Sequence, residues 1–171
     1  MLHREHHANY IAAGALSEPR VMEALLGKLP ASHRMDLQGF TLGLVVGDDV
    51  NGRMRNDIVD PTFRTRVLVP RDHSSVTVRL YTGLTPDEFD AIRAFTYEGV
   101  ITREGTTPIG NGHESVGEAL MHVAREDLAW TELPSEAREE FPNGFEATVA
   151  AAELTRRRLD ERHHGRGPER R

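Results

Sequence analysis

The chain has 171 residues, enough for one domain with a real hydrophobic core. Its formal net charge of −6 argues against a dedicated nucleic-acid binder, and the absence of cysteine excludes disulfides, thiolate catalysis and cysteine-ligated zinc. No stretch approaches the roughly 20 apolar residues of a membrane helix. Met1 to Asn9 is polar and His-rich rather than signal-like, so the expected compartment is the cytoplasm.

Residues 1–8 read as a flexible lead-in, 9–162 as the folded domain and 163–171 as a disordered tail. Tyr10-Ile11-Ala12-Ala13 is an apolar run bounded by Gly14, which predicts a short buried strand and a sharp turn at Gly14-Ala15-Leu16. Ser17 is a candidate helix cap, with Pro19 in the first turn. Val21, Met22, Leu25 and Leu26 follow at helical spacing, and Gly27 is the natural stop. A strand-turn-helix of this kind can bind an anion through free backbone N–H groups.

His33 to Val46 alternates imperfectly and reads as one or two strands, with Gly39 and Gly43 marking a bend or bulge. Residues 47–52 form a turn. Arg53, Arg55, Arg64 and Arg66 read as a solvated loop in the ordinary view and as a basic rim for an acidic substrate in the sharper one. Val67 to Pro70 is a short strand stopped by proline, 71–75 a turn, and Val76 to Thr82 a strand with β-branched residues at period two. Thr85-Pro86-Asp87-Glu88 is a capping box that opens a helix whose apolar face is Phe89, Ile92 and Phe95 or Thr96. That helix runs out near Tyr97, just before Glu98-Gly99. Val100 to Arg103 is a further strand, 104–112 a loop that serves as a lid or a simple hairpin connection, Ser115 to Ala124 a strand, and 125–134 irregular. Two helices close the chain, over 135–141 and from about Phe145 to Arg162.

In this order the pieces resemble the γ-glutamylcyclotransferase-like (AIG2-like) superfamily over roughly residues 9–150. The opening turn and helix, Ala13-Gly14-Ala15-Leu16 and Glu18 through Gly27, match its first motif. Leu37-Gln38-Gly39-Phe40 resembles its second, Val76 through Gly99 its third, and Gly117 through Val123 its late strand. The resemblance implies an α+β fold, a small mixed β-barrel with flanking helices. It also implies a cofactor-independent enzyme that acts on a small molecule, with no nucleic-acid or membrane partner. In that family the Glu of the Glu-Gly pair, here Glu98, is the general acid/base. The substrate's α-amine attacks its own γ-carbonyl and releases 5-oxoproline. Ala13, Gly14, Ala15, Leu16 and Tyr81 then become the substrate-binding set. The chemistry is sound on its own terms. An amine attacking an amide loses a proton that the leaving amine gains, and one carboxylate can carry it.

Three departures bear on substrate. Ala13 and Ala15 replace the family's Tyr and Ser in the opening turn, and Val78 replaces a Gly. The backbone anion cradle survives but the hydroxyls do not. This fits a changed substrate, a related C–N chemistry in biosynthesis, or a repurposed member that only binds a small molecule or partner.

The remaining candidates each have a plainer reading. His3, His6 and His7, and His163 and His164, are possible metal ligands but lie in expected tails. His122 sits on a strand, on the face opposite Met121, as a satisfied histidine or one lining the barrel interior. Glu114 and Glu118 are alternative carboxylates that read as surface residues. Arg79 and Arg103 could pair with a substrate carboxylate, but such residues more often form surface ion pairs.

Overall fold

The computed structural model describes residues 8–46, 64–97, 99, 101–111, 114–133 and 144–165. Among the described residues six strands and three helices follow one another as β1 (Tyr10–Ala12), a 3₁₀ turn (Ala15–Ser17), α1 (Pro19–Leu26), β2 (Ser32–Val46), β3 (Arg64–Tyr81), α2 (Pro86–Phe95), β4 (Thr102–Asn111), β5 (Glu114–Ala124), β6 (Thr131–Glu132) and α3 (Phe145–Gly165). The class is α+β. The strands form one curled sheet in the order β4-β5-β1-β3-β2-β6, with a further β5–β3 pairing at Leu68 and Val123. Among the described residues β4 and β6 do not pair with each other, so the sheet is a half-barrel rather than the closed barrel expected.

β1 is short but central. It runs antiparallel to β3 (Ile11 opposite Leu80) and parallel to β5 (Ile11 opposite Met121). Both faces are covered, which is why three consecutive apolar residues form it rather than an alternating run. Tyr10 and Ala12 face the helices, where Leu16, Met22, Leu25, Tyr81, Phe89, Ile92 and Ala152 form one core. Ile11 faces the other way, into a core built mainly by strand side chains such as Leu68, Val78 and Met121. A third cluster, Val45, Val67, Val69, Ile101, Ala124 and Leu128, fills the far end of the sheet.

Several expectations change once the strands pair. Ser17 does not cap α1. Glu18 takes the N-cap position, and Ser17 belongs to the 3₁₀ turn with its Oγ donating to the Gly14 carbonyl, 2.7 Å away. Residues 33–46 form one strand rather than two. Its irregularity falls between Gln38 and Phe40, where Gly39 has φ +85°. The break expected at Pro70 is absorbed. Pro70 pairs with Phe40 and Ser75 with Gln38, so residues 71–74 form an excursion within one continuous β3, turning at His73 with φ +64°. The register resumes because Val76 to Leu80 must reach the core face.

The segment expected as a loop over 104–112 is mostly β4, paired with β5 from Thr102 opposite Ala124 to Asn111 opposite Glu114, with a register shift between Ile109 and Gly110. Pro108 is tolerated because β4 is the edge strand. β6 adds a two-residue strand inside the stretch read as irregular, pairing with Gly43 and Leu44. α3 continues to Gly165, three residues into the expected tail. The 47–52 turn, the helix at 135–141 and the N-terminal lead-in up to residue 7 lie outside the described residues. Among the described residues, no helix is long and apolar enough to cross a membrane.

The capping box at α2 forms as read. Thr85 Oγ1 accepts from the Glu88 amide at 3.3 Å, and Glu88 Oε1 accepts from the Thr85 amide at 2.8 Å. α2 stops at Phe95. Thr96 closes its last turn by donating through Oγ1 to the Ile92 carbonyl, 2.8 Å away, and Tyr97 then turns left-handed at φ +57°. The helix therefore ends in a turn fixed at Thr96 and Tyr97.

Candidate functional site

A cavity of about 60 Å³ lies where β1 ends. One wall is the turn Ala13-Gly14-Ala15-Leu16, and a second is β3 around Arg66. The third comes from both flanks of position 98, Phe95 and Thr96 before it and Ile101 and Thr102 after it. Tyr10 and His122 also line it. The sheet order explains the meeting. β1 lies between β3 and β5, so the turn that leaves β1 passes beside β3 and close to β4, which pairs with β5.

The turn is held from behind. Tyr81 is wholly buried, and its hydroxyl donates to the Leu16 carbonyl at 2.7 Å. Arg79 Nε donates to the Ser17 carbonyl at 3.1 Å, and the Ser17 amide and Oγ both donate to the Gly14 carbonyl. With its carbonyls pinned, the turn keeps its amides: among the described residues those of Gly14, Ala15 and Leu16 donate to no backbone carbonyl outside the strand ladders. Gly14 packs tightly on β3, and a Cβ there would lie 3.1 Å from the Arg66 carbonyl oxygen.

The loop that carries position 98 is tied across its base. The Ile101 amide donates to the Tyr97 carbonyl at 3.1 Å, the Gly99 amide to Thr102 at 2.8 Å, and Thr102 Oγ1 to Thr96 at 3.2 Å. Glu98 itself lies outside the described residues, so the structure places its flanks and not its carboxylate. Of the other residues singled out for binding, Ala13, Gly14, Ala15 and Leu16 line the cavity. Tyr81 does not, and instead supports the turn.

His122 lies on the helix-covered face, with Met121 packed on the opposite one. It is only 7% exposed. Its Nδ1 is 2.9 Å from the Tyr10 hydroxyl and 3.4 Å from Thr96 Oγ1. Its Nε2 is buried without a hydrogen-bond partner and points toward Glu104 Oε1, 3.7 Å away. Burial, the largest influence, pulls the His122 pKa down to about 4 despite the nearby Glu104 carboxylate, so the ring is neutral at pH 7. Burial above all, reinforced by Glu104, raises the Tyr10 phenol far above its ordinary value, so it keeps its proton. The tautomer follows. The Tyr10 hydroxyl donates to Nδ1, and Nε2 carries the hydrogen that faces the carboxylate. Arg66 is also partly buried, and desolvation lowers its pKa from the usual arginine value.

The other sequence candidates stand apart. Arg79 is spent on Ser17 and on Ser32 Oγ, 3.0 Å away. Arg103 faces Glu126 on the surface at 4.0 Å. Glu118 is exposed, and its backbone carbonyl accepts from Asn9 Nδ2. The side chains of Glu114, His163 and His164 lie outside the described residues, as do His3, His6 and His7 entirely. Among the described residues no three His, Asp or Glu side chains gather as a metal site. Arg66, read in sequence as part of a solvated loop or a basic rim, and Thr96, read as an alternative member of the apolar face of α2, both line the cavity.

No family model matches the chain, and no curated protein matches it. Two solved structures are similar to it, both solution structures of Arabidopsis thaliana proteins. One is 18% identical with a TM-score of 0.49, covering 92% of this chain and 87% of the other. The second is 15% identical with a TM-score of 0.48, covering 95% and 86%.

Proposed function

We propose that the chain is a γ-glutamylcyclotransferase-like enzyme acting on a γ-glutamyl amine or a related acyl amide, with Glu98 as general acid/base at the cavity beside the Gly14 turn. One observation carries the reading. The turn and the two flanks of position 98 are some eighty residues apart in sequence, yet they border one cavity. In this reading Glu98 takes a proton from the substrate's α-ammonium. The freed amine attacks the γ-carbonyl carbon, and the new C–N bond closes a five-membered ring. The ring nitrogen, cationic after the attack, sheds a second proton, the original amide C–N bond breaks, and both protons pass by way of Glu98 to the leaving amine, which departs as its ammonium ion. Protons balance, and no cofactor enters. The turn amides are the groups offered to a carboxylate. The cavity volume corresponds to about two waters at roughly 30 Å³ each, so it receives a head group while the rest of the substrate extends outward.

The replacement of the family's turn hydroxyls by Ala13 and Ala15 favours a substrate other than a housekeeping γ-glutamyl peptide, or a member that binds without turning over. The test is 5-oxoproline release from a panel of γ-glutamyl amines, with Glu98→Gln as control. Turnover abolished by that change supports the reading. Turnover that survives it removes Glu98 from the chemistry. Silence across the whole panel moves the assignment to the binding or biosynthetic alternatives.

A further inference from the structure

A second, larger hollow of about 700 Å³ lies between α2 and the edge strand β4. That size falls within the roughly 300–1,000 Å³ range of small-molecule sites. Leu84, Pro86, Phe89 and Leu120 give it apolar walls, and Arg93 and Glu104 stand at its polar side. Gly105 contributes backbone, because a Cβ there would point at Met121 and Val123 on the opposite face of the sheet. Tyr10 and His122 separate this groove from the smaller cavity. Both line the small cavity, and each touches a groove residue. Tyr10 meets the Phe89 ring edge-on, with centroids 6.3 Å apart, and His122 faces Glu104.

The charged residues of the groove are one pair, Arg93 and Glu104. Arg93 donates through Nε to Glu104 Oε1 and through a terminal nitrogen to Asp90 Oδ1, 3.1 Å away. Asp90 lies outside the groove lining but shares the Arg93 guanidinium with Glu104, so Arg93 does not compensate Glu104 alone. Glu104 uses a single oxygen for Arg93. Among the described residues no donor reaches the other, Oε2. The same carboxylate faces the buried, unpartnered Nε2 of His122 across a gap slightly too long for a hydrogen bond.

We propose that this groove binds a small organic cation, a primary amine on an apolar body, with Glu104 accepting the ammonium and Leu84, Phe89 and Leu120 enclosing the body. The ammonium completes the free oxygen of Glu104, and any shift of that carboxylate alters the His122 gap. Occupancy of the groove is thereby felt at Tyr10 and His122 on the wall of the smaller cavity. None of the residues required for the cyclisation reading is needed for this proposal, so either can fail alone.

The experiment titrates the full chain with benzylamine, benzyl alcohol and benzoate, probes of one shape and three charges. The readouts are the backbone amides of Glu104 to Thr106 and the imidazole nitrogens of His122, followed by NMR. Benzylamine is expected to move these signals and to bind at least about tenfold more tightly than the other two, the gain typical of a charge-assisted hydrogen bond. Glu104→Gln should remove that preference while leaving the benzyl alcohol affinity unchanged. The three-probe comparison on the unaltered protein decides the matter even if the variant misfolds. Equal or tighter binding of benzoate overturns the proposal. So do shifts that bypass these residues, and so does the absence of binding by all three probes.

Discussion

Acidifying this protein places charge on a buried imidazole. An unfolded histidine titrates near 6.5, whereas His122 in the fold titrates near 4 because burial disfavours its cation. Between those values the unfolded chain binds more protons than the folded one, so stability falls as pH falls through that window. Above 6.5 the ring is neutral in both states and costs nothing. Below 4 it is charged in both, and the loss is complete. A gap of about 2.5 pH units at 1.36 kcal/mol each comes to about 3 kcal/mol. That is a large share of the roughly 5–15 kcal/mol that holds a domain together. About 2 kcal/mol of it should already be gone near pH 4.5. Tyr10 and Thr96 face Nδ1, and Glu104, held by Arg93, faces Nε2.

Urea unfolding near pH 7 and near pH 4.5 measures the loss, with His122→Gln as the comparison. Glutamine stays neutral and can still accept from Tyr10. Carboxylate titration elsewhere is shared by both proteins and cancels in the difference. The unaltered protein should lose about 2 kcal/mol more than the variant between the two conditions. Equal losses would refute the reasoning, as would an NMR titration placing the His122 pKa at or above 6.

Two further substitutions probe how the turn is held. Tyr81→Phe strands the buried Leu16 carbonyl and should cost about 1–2 kcal/mol, lowering the melting temperature by several degrees. An unchanged melting temperature would show that the Tyr81 hydroxyl does not hold the turn. Gly14→Ala places a methyl group 3.1 Å from the Arg66 carbonyl oxygen, a backbone atom that must move. It should cost about 1–3 kcal/mol and shift the amide signals around Arg66. A variant that melts like the parent with those signals unmoved would mean that the close packing of turn and β3 is not present in solution.

Local chemistry was legible wherever its partners lie close in the chain. The α2 start follows from Thr85 and Glu88, three residues apart, and the α1 stop from Gly27, whose φ of +78° favours glycine. The turn at Gly14 and the strand carrying His122 were placed for the same reason. The elements misjudged are those whose fate depends on a neighbouring strand. Pro70 and residues 71–75 look like a terminus and a turn, but pairing with β2 on both sides carries β3 through them. The Gly- and Thr-rich stretch from 104 looks like a loop until β5 supplies its ladder.

By itself, then, the sequence determined the capped helix that ends just before position 98 and the glycine turn after β1, because each rests on contacts within a few residues. Tertiary structure alone decided that the turn and the flanks of Glu98 share a cavity, that Arg66 and His122 join it, and that Tyr81 stands behind the turn. It alone also set the Arg93–Glu104 pair against the unpartnered edge of His122. Those pairings span from eleven to more than a hundred residues. They follow from the order in which strands stack and from which face of each strand the helices cover, and no short window of sequence encodes either.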